Sequence, residues 1–132
     1  MTKALWILTA VAVLGGLIAN SAQAIPPFKK EFDAKYVDKA STDATVKAFS
    51  EAAAKANCLI CHGKDATGKQ DTKIRNAYGL ALDKLLDKKT DAKDAPKIQK
   101  ALDDVAKEKS DPANASSKTF GELIKEGKLP SE

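Results

Sequence analysis

The sequence predicts a small all-α domain of about four to five helices. Two observations predict it. Apolar residues recur at helical spacing in several separate stretches, and no stretch of useful length alternates apolar and polar residues as a half-buried strand does. A third follows from composition. The chain has 132 residues, 30% of them charged and only 5% aromatic, so one modest core is all it can bury.

The elements follow in order. Residues 1–24 read as a secretory signal peptide. Lys3 gives the positive start, Ala4 to Ile18 is an uncharged apolar run, and Ala22-Gln23-Ala24 is an A-x-A cleavage site. The run is shorter than the ~20 residues a spanning helix requires. Cleavage leaves a chain with no membrane span, although an uncleaved anchor is the alternative. The mature domain, 25–132, is then periplasmic or otherwise exported. Within it, Phe28, Phe32 and Tyr36 recur every four residues and fit one face of a short helix, as core or as cofactor-edge contacts. Ser41-Thr42-Asp43 offers cap oxygens for an alanine-rich helix over Ala44–Ala56, with Val46, Phe49, Ala53 and Ala56 on one face. Gly63 to Thr72 reads as a loop. A helix is expected over Ile74–Leu86, capped from Asp71 or Thr72, with Tyr78, Leu82 and Leu85 in one stripe. Lys88 to Pro96 is a polar turn, and Lys97 to Lys107 a further helix with Ile98, Ala101, Leu102, Val105 and Ala106 inward. After a loop to Lys118, Thr119-Phe120-Gly121-Glu122 is a capping-box pattern opening a short last helix, and Gly127 stops it.

Between the second and third helical stretches stands Cys58-Leu59-Ile60-Cys61-His62. C-x-x-C-H is the attachment pattern for a c-type haem. The two thiols are spaced to form thioethers with the two vinyl groups of one porphyrin edge, and His62 then lies under the iron as proximal ligand. Gly63 gives the backbone freedom to turn away from the porphyrin face. Three other readings compete. Structural zinc needs about four ligands, and the chain holds two Cys and one His in all. A thioredoxin-like redox pair wants a βαβ context. A Cys58–Cys61 disulfide in a haem-free exported domain is the third. Export itself favours occupied cysteines. The helices would therefore gather around one covalent haem, haem c, which supplies an apolar plate to a polar chain.

Charge excludes one partner class. The formal charge is +4, and the lysines alternate with acids rather than forming a basic block, so nucleic acid is not indicated. Arg75 is the chain's one arginine. It reads either as a bidentate holder of a haem propionate or as a surface residue at a helix start.

The second axial position stands out. Electron-carrying c haems usually take Met or His there. The one Met is Met1 and the one His is His62. What remains is an open or water-bound iron, a Lys amine or a Tyr phenolate (Tyr78 or Tyr36), or a ligand from a partner chain.

In its haem motif and the helix before it the chain resembles c-type cytochromes. Over more of its length it is similar to small monohaem cytochromes of planctomycete bacteria. The residues concerned are Phe28-Lys29-Lys30-Glu31-Phe32, the haem motif, Arg75-Asn76-Ala77-Tyr78-Gly79, and the run from Phe120-Gly121-Glu122 to Pro130. With the residue reading, in which no acid–base or nucleophile constellation points to an enzyme, this gives an expected electron carrier with Cys58, Cys61, His62, Arg75 and Tyr78 at the cofactor and His62 on the metal. Its partners would be redox proteins. Related anammox-bacterium cytochromes pair as heterodimers, with a cysteine distal ligand and affinity for NO and CO. That implies a sister cytochrome subunit, whereas the third cysteine has no counterpart in this chain. A gas-binding or sensory haem protein is the alternative function.

Overall fold

The computed structural model describes residues 26–132, and the signal-peptide reading of 1–24 lies outside them. Among the described residues, no helix is long and apolar enough to cross a membrane. The described residues form five α-helices: α1 (Pro27–Tyr36), α2 (Ala44–Ala56), α3 (Ala77–Asp83), α4 (Ala95–Val105) and α5 (Phe120–Lys125). Two strands, β1 (His62–Lys64) and β2 (Gln70–Arg75), lie between α2 and α3.

The strands correct the all-α expectation. They pair antiparallel, with His62 opposite Arg75, Gly63 opposite Asp71 and Lys64 opposite Gln70, and the register shifts between His62 and Gly63. The expected Gly63–Thr72 loop is thus a hairpin. Asp65 builds its turn. One carboxylate oxygen accepts from the Thr67 N–H and hydroxyl and from the Lys69 N–H, while Gly68 takes φ +82°. These bonds, the Thr67 hydroxyl first, hold the Asp65 carboxyl below its ordinary range. Sequence alternation is silent here for a physical reason. The ribbon lies outside the core, so no residue of β1 or β2 is fully buried and selection for one apolar face is absent.

The hairpin also shortens the next helix. Ile74 and Arg75 belong to β2, and α3 begins only after Asn76, whose side chain caps it through the Gly79 N–H. Asp71 and Thr72 do not cap it. Gly63 differs from expectation too. Its φ is not in the left-handed region, and its lack of a side chain serves close packing, because a Cβ there would meet Ile74 Cγ2 at 2.6 Å.

The other helices follow their local signals. Asp43 caps α2 through the Thr45 and Val46 amides. Asp94 caps α4 through Lys97 N–H, so α4 starts before the expected Lys97. Both halves of the α5 capping box form, with Glu122 accepting from the Thr119 N–H and Thr119 accepting from the Glu122 N–H. Thr119→Ala is expected to cost about 1 kcal/mol, read as a lower urea midpoint at unchanged slope.

The core joins all five helices. Phe32 of α1, Phe49 and Ala53 of α2, Tyr78 and Leu82 of α3, Ile98, Leu102 and Val105 of α4 and Phe120 of α5 are buried together. At its centre Tyr78 lies edge-on to both Phe32 (5.9 Å between centroids) and Phe120 (5.1 Å). Ile60, from the Cys58–His62 motif, is fully buried in this cluster. The motif is thereby anchored to the core from inside.

Candidate functional site

The motif leaves α2 through a sharp redirection. Asn57, the C-cap, has φ +48° and ψ −112°, a conformation costly for a side-chain-bearing residue. Its N–H still bonds to the Ala53 carbonyl. Asn57–Ile60 then form one 3-10 turn, closed by the Cys61 N–H donating to the Cys58 carbonyl at 3.2 Å. The turn brings Cys58 and Cys61 to the same wall of a cavity of about 310 Å³.

That cavity also holds His62 and Arg75 on its wall. Pro26, Pro27 and Phe28 from the start of α1, Leu82 and Asp83 from α3, Leu86, and Lys88 and Ala92 from the following turn complete much of it. Apolar walls with a few convergent polar groups are the usual make-up of a cofactor pocket. Both cysteines are free thiols. Burial, opposed in part by Lys29, pushes the Cys61 thiol up to about 12. Cys61 is therefore a protonated, inward-facing thiol at neutral pH.

His62 is oriented by the hairpin. Its Nδ1 lies 3.2 Å from the Ile74 carbonyl oxygen. A carbonyl can only accept, so Nδ1 carries the hydrogen and the lone pair is on Nε2. A ring nitrogen anchored to a backbone carbonyl, with the other nitrogen free, is the arrangement metal-binding histidines use. The donor set and the apolar cavity thus fit a haem. They do not fit zinc, because among the described residues no three His, Cys, Asp or Glu side chains are placed to hold a metal ion. Nor, among the described residues, is a βαβ unit present to support a thioredoxin-like pair.

Of the residues the sequence singles out, Cys58, Cys61, His62 and Arg75 come together. Arg75 reaches across to Asp83 at 2.8 Å, and both line the cavity. Tyr78 does not reach it. It is wholly buried between Phe32 and Phe120, and its hydroxyl has no hydrogen-bond partner. Burial pushes its phenol far up. Tyr36 donates to the Leu102 carbonyl at 3.3 Å, and burial pushes its phenol up to about 12.

One residue to which the sequence reading gives no role of its own organises the site. Asn76 Nδ2 donates to the carbonyls of Leu59 and Ile60, each at 3.0 Å, and lies 3.4 Å from that of His62. Its backbone N–H donates to the Cys61 carbonyl at 3.2 Å. Its Oδ1 accepts from the Gly79 N–H at 2.9 Å. Asn76 therefore ties the motif backbone to the start of α3. The available signal was an Asx residue just before a helical run, hidden because periodicity alone starts that run at Ile74.

Comparison with protein-family models, with curated proteins and with solved structures found no match to this chain.

Proposed function

We propose that the chain is an exported monohaem c-type cytochrome that passes single electrons between redox partner proteins. The observation that carries the reading is the convergence of Cys58, Cys61 and a Nδ1-anchored His62 on one apolar cavity. Cys58 and Cys61 hold the haem through thioethers. His62 offers Nε2 to the iron, and its bond to the Ile74 carbonyl keeps the ring in the ligating tautomer. Phe28, Leu82 and Leu86 give the cavity an apolar wall that limits water near a bound haem, which together with the iron's ligands tunes its potential. Arg75 stands at the cavity wall, its charge shared with Asp83, where a propionate would be held. The bound haem supplies a one-electron iron couple; the protein supplies position and electrostatics.

The test is intact mass and haem staining after denaturing electrophoresis, on chain matured in a host competent for cytochrome c assembly. The expected result is one added haem mass that survives heating. Cys58→Ala with Cys61→Ala should remove it, and His62→Ala should shift the optical spectrum. Unmodified mass from the parent chain would leave a haem-free helical domain instead.

A gas-binding role is the second reading. It draws on the absence of a Met or a second His among the described residues. A ferrous spectrum that shifts with CO or NO would favour it over the carrier.

A further inference from the structure

The second axial position can be narrowed by where the side chains lie. Both tyrosines drop out, since Tyr78 is sealed in the aromatic core and Tyr36 is bonded to the Leu102 carbonyl; neither lines the cavity. Two lysines line it, Lys29 and Lys88. Lys29 Nζ sits 2.5 Å from both oxygens of Asp33, with its side chain only 13% exposed. Lys88 makes no ion pair among the described residues, while the cavity's own carboxylate, Asp83, is taken by Arg75.

The chain around Lys88 is fixed rather than loose. Asp91, 5% exposed, accepts from the Asp87 N–H at 2.8 Å and from the Thr90 hydroxyl at 3.0 Å. The Asp91 N–H returns to the Asp87 carbonyl at 2.8 Å. The Asp91 carboxylate pairs with Lys97 at 2.8 Å and not with Lys88. Lys88 itself is exposed, and the turn presents its amine, without an ion-pair partner among the described residues, on a flexible four-carbon stem at the rim of the cavity that also holds His62.

We infer that Lys88 is the second axial ligand of the haem iron, an inference that rests on the haem reading above. The amine donates its lone pair to iron, and the proton of the ammonium passes to solvent.

The test uses the ferric holoprotein and the variants Lys88→Ala and Lys29→Ala, read by electron paramagnetic resonance and by CO titration after reduction. Parent and Lys29→Ala are expected to be low-spin and silent to CO. Lys88→Ala is expected to lose the low-spin signal, turn high-spin and bind CO. A high-spin parent, or a Lys88→Ala protein that keeps the parent's low-spin signal, overturns the assignment. Should that variant fail to accumulate, acetic anhydride labelling of the parent holoprotein decides. Lys88 protected while Lys84 and Lys89 are acetylated supports the ligand; Lys88 acetylated as fast as they are overturns it. The two readings fail differently. A chain matured without covalent haem overturns both, whereas covalent haem with an unchanged Lys88→Ala spectrum overturns the lysine alone.

Discussion

Gly79→Ala is expected to destabilise the domain by about 3 kcal/mol or more, the upper range for overpacking a buried contact. A Cβ at this position would lie 1.9 Å from the Cys61 carbonyl oxygen, 2.8 Å from its carbon and 3.2 Å from its Cα. All three atoms are backbone, so no side chain can swing aside. Retreat of the carbonyl would break its bond from the Asn76 N–H. Retreat of α3 would drag Tyr78 from between Phe32 and Phe120. Helix propensity pulls the other way, since Ala is better than Gly in a helix by about 1 kcal/mol, and the clash wins. A small domain has about 5–15 kcal/mol in total, so the folded fraction should fall and, on the proposed haem reading, the holoprotein yield with it. Urea unfolding of the apoprotein measures the cost directly. Gly68→Ala is the comparison: nothing lies within 4 Å of its Cβ, but its φ is +82°, so only about 1 kcal/mol of left-handed strain is expected. A Gly79→Ala protein as stable as its parent would mean that α3 does not rest on the motif backbone.

Legibility in the sequence tracked how local each signal was. The ends of α2 and α5 are written in side chains beside them, Asp43 and the Thr119–Glu122 pair, and the helices start there. The apolar stripe of α4 at Ile98, Ala101, Leu102 and Val105 is the stripe that is buried. The hairpin is different. Its strands carry Lys64, Gln70, Asp71 and Lys73, and its one large apolar side chain, Ile74, is 40% exposed, so neither a helical nor a strand period is present to be read. Ile74 and Arg75 then attach by default to the periodic run behind them, which places the cap too early and leaves Asn76 without a role. The spacing of Cys58, Cys61 and His62 is local and visible. The opposite wall is not, because Pro26–Phe28 and Lys88 are brought there by the packing of α1 and α3. Tyr78 illustrates the converse. Its position in the stripe marks it as buried, but periodicity does not say whether a buried face meets a cofactor or another aromatic ring.

Asn76→Ala is the second large effect, and its size separates two functions of one side chain. Loss of the Oδ1 cap on the Gly79 N–H alone costs about 1 kcal/mol. Loss of Nδ2 leaves the carbonyls of Leu59 and Ile60 without this donor, at about 1–3 kcal/mol for a buried acceptor left unpaired. The two together predict about 2–4 kcal/mol. Asn76→Asp keeps an acceptor for the Gly79 amide and removes both donors, placing a negative charge against the motif carbonyls. Asn76→Asp is therefore expected to be at least as damaging as Asn76→Ala, although by capping alone it would be neutral. Holoprotein yield adds a readout that a simple helix cap would not move. The bonds to the carbonyls of Leu59, Ile60 and Cys61 fix the turn that carries both thiols at the cavity, so on the proposed haem reading either variant should accumulate chain with one thioether or none, resolved by intact mass. If Asn76→Asp matched the parent in stability and in thioether content while Asn76→Ala lost only the capping increment, the bonds to the motif would carry nothing, and the close seat of α3 at Gly79 would alone hold the cysteine turn in place.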